Sequence, residues 1–197
     1  MTDKFLKAKH WQLFLLGFGV PMLFQFVMMS SIFNTGAEIY PDPKMMFFYM
    51  KFFPVMMLFL IGVLFGWWWS IAIGLQSKIP ENVKMKVKKF KIFFFIPLVY
   101  MFFSMLLIAL ALEELIINGT DPSGGLSGSL LAIIVLLHLL SMFGIFYSIY
   151  FAAKTFKTIE LQREVSFSDF AGEFFMFWFY PIGIWIVQPK INKMIER

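Results

Sequence analysis

The chain has 197 residues, of which 60% are hydrophobic, 20% aromatic and only 15% charged, with a formal net charge of +5. Soluble domains carry about half apolar and about a quarter charged residues, so a water-soluble fold of this length cannot hide the surplus and the bilayer is its natural solvent. Cysteine is absent, which excludes disulfides, thiolate ligands and cysteine nucleophiles.

In chain order, Lys4, Lys7 and Lys9 precede an apolar run from Trp11 to Phe33. It is longer than the apolar part of a secretory signal and no small-residue cleavage site follows, so it reads as an uncleaved signal anchor. A spanning helix needs about 20 mostly apolar residues to cross about 30 Å of hydrocarbon. Four stretches qualify: 11–33, 52–75, 92–117 and 126–153. None alternates as a barrel strand would. Between them, Gly36, Pro41 and Pro43, then Pro80 with its lysines, then Asn118–Gly125, mark loops. Asn118-Gly119-Thr120 also fits a glycosylation acceptor, a short pattern that needs a secretory context.

The charges sort by loop. The amino terminus, the second loop (Lys78, Lys84, Lys86, Lys88, Lys89, Lys91) and the segment after the fourth span (Lys154, Lys157, Arg163) carry twelve basic residues, against Lys44 and Lys51 on the other side. The positive-inside rule then places both termini in the cytoplasm. The small size and lean loops point to a bacterial inner membrane. Lys84–Lys91 is expected to meet anionic headgroups; it lacks the arginines and folded surface of a nucleic-acid binder.

Within the C-terminal element, over about 167–188, the stretch Phe170–Val187 is dense in Phe and Trp and, at 18 residues, barely long enough to span. A fifth span would bury Glu173, contain Pro181 and Gly183, and leave Lys190, Lys193 and Arg197 on the wrong side. A cytoplasmic amphipathic or re-entrant element fits better, entering one leaflet, turning at Pro181-Ile182-Gly183 and presenting Trp185 at the headgroups. The expected fold is therefore all-α, a single membrane domain over 1–197 with four transmembrane helices and this C-terminal element.

Few residues invite a functional reading. Gly62, Gly66, Ser70 and Gly74 recur every four residues, and Gly144, Ser148 and Ala152 repeat the pattern on the fourth span. Such faces admit close helix packing, within this chain or against another subunit. His138, Ser141 and Gln25 are polar within spans, where such groups are costly. His138 needs a partner, with Ser104 or a backbone carbonyl as candidates. Gly17, Pro21 and Gln25 lie four apart, with Pro21 placed to kink its helix. Glu113 and Glu114 read as a solvated helix end or a cation site at the outer mouth. Asp169 and Glu173 share a helix face and are expected to meet Lys154, Lys157, Lys190 or Lys193; they are also the only candidates for acid–base chemistry.

No cofactor, metal or nucleotide motif is present, which leans against an enzyme. The expected role is a non-enzymatic accessory or scaffold subunit of a larger membrane complex, with other membrane subunits and anionic lipid as partners. The alternatives are a small channel or transporter with a polar path near His138 and Gln25, and a membrane-embedded enzyme acting on lipid.

Overall fold

A computed structural model describes residues 2–34, 43–113 and 128–196. The glycosylation pattern at Asn118, Glu114, and most of the first and third loops lie outside them. All regular structure among the described residues is helical: α1 (Thr2–Lys7), α2 (His10–Phe14), a π-helical turn (Leu15–Gly19), α3 (Val20–Asn34), α4 (Pro43–Gly74), a 3-10 turn (Gln76–Lys78), α5 (Val87–Glu113), α6 (Gly128–Leu161), α7 (Phe167–Trp178) and α8 (Tyr180–Glu196). Four helical stretches are long and apolar enough to cross a membrane: His10–Ser30, Phe52–Lys78, Val87–Ala111 and Gly128–Leu161. These match the four expected spans. The third starts five residues early, which puts Lys88, Lys89 and Lys91 on the helix.

The first span is interrupted where its sequence requires it. Pro21 has no N–H, and its ring clashes with the carbonyl four residues back in a regular helix. The chain answers by widening the preceding turn, and the N–H of Val20 reaches the carbonyl of Leu15, a five-residue π bond. A second proline is used similarly. Pro97 cannot donate to the carbonyl of Phe93, and Gly144 of α6 packs against that carbonyl. A Cβ on Gly144 would lie 2.6 Å from the Phe93 oxygen and 2.8 Å from Pro97 Cδ.

The core sits in the lysine-rich half of the spans. Trp67, Phe90, Phe156, Phe170, Phe177 and Ile184 are fully buried there. Phe90 stacks on Phe151 at 4.6 Å and Trp67 on Phe177 at 4.9 Å. The opposite half is open. In α6, Leu136, Leu137, Leu139 and Leu140 are all exposed, as are Phe102, Phe103, Leu106 and Leu107 in α5.

The C-terminal segment is two helices, not one. Phe167 and Phe170 pack on Tyr150 of α6, and Trp178 packs on Phe146. Helix α7 thus climbs from the end of α6 toward its middle. The chain reverses at Phe179 (φ −85°, ψ 63°), and α8 descends. Trp185 meets Phe14 and His10, and the carbonyl of Met194 accepts from Lys78 Nζ at 2.6 Å. Both ends of the α7–α8 hairpin therefore lie at the lysine-rich end. The reversal comes two residues before the expected Pro181-Ile182-Gly183 turn. Pro181 instead occupies the first turn of α8, where a missing N–H costs nothing.

Candidate functional site

The lysine-rich half holds a polar knot, an ion network and an apolar groove. The knot joins both termini. Helix α1 stops at Lys7, and its last carbonyls have no intrahelical donors. Helix α8 supplies them. Gln188 Nε2 donates to the carbonyls of Phe5, Leu6 and Ala8 at 3.0, 3.1 and 2.8 Å, while Asn192 Nδ2 donates to Leu6 at 2.8 Å and Ala8 at 3.2 Å. Gln188 Oε1 accepts from Trp67 Nε1 at 2.8 Å. The orientation of the amide is dictated, because indole only donates and a carbonyl only accepts. Gln188 is completely buried. It was not among the residues singled out from sequence, yet it lies on the apolar stripe Ile184, Val187, Gln188, Ile191, all buried. A carboxamide on such a stripe is the signal that finds it.

Tyr180, at the hairpin tip, performs the same service for the first span. Its hydroxyl donates to the carbonyl of Leu13. Its ring lies over Gly17, where a Cβ would come within 2.6 Å.

The small-residue face of α4 receives α1, an element that no sequence signal announces. A Cβ on Gly66 would lie 2.6 Å from the Phe5 ring, and one on Gly74 would lie 2.9 Å from Leu6 Cδ1. Ser70 turns inward on its own helix, donating to the carbonyl of Gly66 at 2.7 Å. Gly62 has nothing within 4 Å. On α6, Gly144 meets α5, Ser148 Oγ donates to the Gly144 carbonyl at 2.7 Å, and Ser141 and Ala152 are buried. Of the seven small residues, Gly62 alone is both exposed and free of neighbours around its α-carbon.

The two carboxylates of α7 have separate partners. Glu173 pairs with Lys157 at 2.8 Å; Lys157 also pairs with Glu160 at 2.7 Å, and Glu160 with Lys190 at 3.0 Å. This chain of charges ties α6, α7 and α8 together. Asp169 pairs with Arg163 at 2.8 Å, in place of the expected lysine, and accepts from the backbone N–H and Oγ of Ser166. With each carboxylate committed to its own cation, they do not form a shared acid–base pair. Among the described residues, no three His, Cys, Asp or Glu side chains cluster as a metal site would require.

The Arg163 guanidinium, followed by the two Ser166 donors, holds Asp169 below the usual carboxylate range. A carboxylate whose folded pKa is depressed stabilises the fold above its unfolded value, about 3.9. That contribution disappears as pH falls through the lower folded value. Amide exchange in the first turn of α7 is therefore expected to accelerate only at strongly acid pH. Asp169→Asn should show fast exchange there already at neutral pH, and an acid limb identical in the two proteins would contradict the assignment.

His138 is exposed, and its Nδ1 lies 3.2 Å from the hydroxyl of Tyr100 on α5. Tyr100, and not Ser104, is its partner; Ser104 Oγ donates to the carbonyl of Met101 at 3.0 Å. Gln25 is also exposed. It stands on α3, which packs on α4 and on the π-helical turn before it, whereas α6 packs on α5, α7 and α4. Lys84, Lys86, Lys88, Lys89 and Lys91 are all exposed, and none forms an ion pair among the described residues. Lys89 instead lies over Phe93 and Tyr147, 5.8 and 5.4 Å from their ring centres.

The groove runs between α4 and α5. Its volume is about 290 Å³, and it is lined by Gly62, Phe65, Gly66 and Trp69 on one side, Phe94, Phe95 and Leu98 on the other, with Thr2 and Phe5 of α1 also contributing. Comparison with protein-family models, with curated proteins and with solved structures finds no match to this chain.

Proposed function

We propose that this protein is a non-enzymatic accessory or scaffold subunit of a larger membrane assembly. Its amino and carboxyl termini face the cytoplasm, and the α7–α8 hairpin is a re-entrant element of the cytoplasmic leaflet. The lysine-rich loops support this orientation.

One observation carries the reading. Gln25 lies nine residues, about 13 Å, from the end of α3, with its side chain exposed and no hydrogen-bond partner among the described residues. Exposed Leu and Phe need no explanation in hydrocarbon, because lipid tails are as apolar as they are. An exposed carboxamide does, since burying one without a partner costs about 2–7 kcal/mol. His138, about 15 Å into α6, faces outward too and uses only Nδ1 in its contact with Tyr100. Neighbouring membrane helices offering hydrogen-bonding side chains in the outer leaflet would satisfy each of them. The channel reading draws less support, because Gln25 and His138 stand on helices that do not share a main packing face.

Purification from native membranes in mild detergent, followed by mass spectrometry, tests the proposal. A membrane-protein partner should be retained by the wild type and lost in Gln25→Leu/His138→Leu. A monodisperse monomer that retains nothing overturns it.

A further inference from the structure

We infer that the groove between α4 and α5 is a binding site for one anionic phospholipid, with an acyl chain against Gly62, Phe95 and Leu98 and the phosphate on Lys88 and Lys91. This goes beyond the subunit reading and does not depend on it. The argument begins with helical register. Lys88, Lys91, Phe95 and Leu98 follow one another at three- and four-residue steps, so they form one stripe along α5. Phe95 and Leu98 line the groove. Lys91 lies one turn before Phe95, about 6 Å along the axis, and Lys88 lies a further turn out. The two lysines thus stand at the groove's mouth, on the membrane-surface side.

The charge there is one-sided. Between Leu75 and Val99 the sequence has six lysines and a single acidic residue, Glu81. Both Lys88 and Lys91 are exposed, and neither has an ion-pair partner among the described residues. Cations at the start of a helix are also opposed by its dipole. An anion bound at this position would relieve both costs.

The walls suit a hydrocarbon chain. Phe65, Trp69, Phe94 and Phe95 form a continuous aromatic surface, with Phe65–Phe94 at 5.3 Å, Trp69–Phe94 at 4.9 Å and Trp69–Phe95 at 5.6 Å between ring centres. Ser70, the one hydroxyl on the α4 side, is already bonded to the Gly66 carbonyl, so it asks nothing of an occupant. Gly62 leaves open space where any other residue would project. A bulk-lipid contact would need neither the lysine pair nor the notch at Gly62, and the inferred site uses both.

The test reconstitutes the full chain in bilayer nanodiscs of phosphatidylcholine containing a minor fraction of phosphatidylglycerol with a photoactivatable acyl chain. After irradiation, labelled peptides are mapped by mass spectrometry. The wild type should be labelled on the peptide holding Phe95 and Leu98, and a phosphatidylcholine probe should label it far less. Lys88→Gln and Lys91→Gln should each weaken phosphatidylglycerol retention about fivefold. Gly62→Leu fills empty space without displacing a neighbour, so it should fold, and it should reduce the label to background. Label unchanged in Gly62→Leu, or equal labelling by the two headgroups, overturns the inference.

Discussion

Gln188→Leu is expected to destabilise the protein by about 3 kcal/mol and to free the amino-terminal helix before the spans unfold. Leucine has nearly the volume of glutamine, so little of the loss comes from a cavity. The loss is polar. Trp67 Nε1 is buried and would keep no acceptor, and the Phe5 carbonyl would lose its only donor in the knot. Each buried group left unsatisfied costs about 1–3 kcal/mol. The carbonyls of Leu6 and Ala8 are partly protected, because Asn192 still reaches them. By the same reasoning Asn192→Leu should cost about 1 kcal/mol, since Gln188 retains both carbonyls. Gln188→Glu should cost at least as much as Gln188→Leu. Its carboxylate would place a second oxygen where the amide N–H groups now meet three carbonyl oxygens.

Trypsin provides the readout, since Lys4 and Lys7 are exposed but sit in α1, which is held to α4 and α8. Cleavage after Lys7 should be slow in the wild type, fast in Gln188→Leu and intermediate in Asn192→Leu, and thermal midpoints should fall in the same order. Equal cleavage rates in all three would mean that α1 is held by Phe5 and Leu6 packing alone.

The spans were legible because each is a long apolar run, a signal that tertiary context seldom overrides. The lysine-rich loops were legible too, and the structure gathers them at one end. What the sequence concealed was short or depended on packing. Helix α1 has six residues, fewer than an isolated helix needs to be stable. It exists because Gly66 and Gly74 leave room for Phe5 and Leu6 and because α8 caps it. The spacing of those glycines therefore announced a docking face without announcing its occupant. The hairpin reversal at Phe179 was concealed for the opposite reason. Phenylalanine is no turn former, while Pro181 and Gly183 nearby look like one. Their real tasks are to begin α8 and to let it pass close to α7. The partner of His138 was hidden because nothing in a run of Phe, Leu and Met distinguishes the one tyrosine whose hydroxyl faces α6. Asp169 and Glu173 were legible as a pair on one face but not as members of two separate ion pairs, which depend on where α6 ends. That end is set by Gln162, whose left-handed backbone (φ 51°) stops the helix two residues after Glu160.

Gly183→Ala is expected to be the most damaging single-methyl change in the described part of the chain. A Cβ at this position would fall 1.7 Å from the carbonyl oxygen of Met176 and 2.4 Å from its carbonyl carbon. Both are backbone atoms, so no side chain can rotate away. Helix α8 would have to lift off α7, and that movement would withdraw Tyr180 from Gly17 and shift Gln188 from the α1 carbonyls. Overpacking usually costs about 1–3 kcal/mol; with backbone on both sides and two hydrogen-bonded contacts downstream, the upper end or beyond is expected. Gly172→Ala is the matched control. Gly172 is exposed in the middle of α7 with nothing within 4 Å, so alanine there should stabilise by about 0.5–1 kcal/mol through helix propensity. Thermal unfolding followed by circular dichroism in one detergent separates the two. Gly172→Ala should raise the midpoint and Gly183→Ala should lower it by several degrees, with faster tryptic cleavage after Lys7 only in the latter. Similar midpoints for the two variants would show that α7 and α8 are not in contact at Met176, and the α7–α8 hairpin would have to be redrawn.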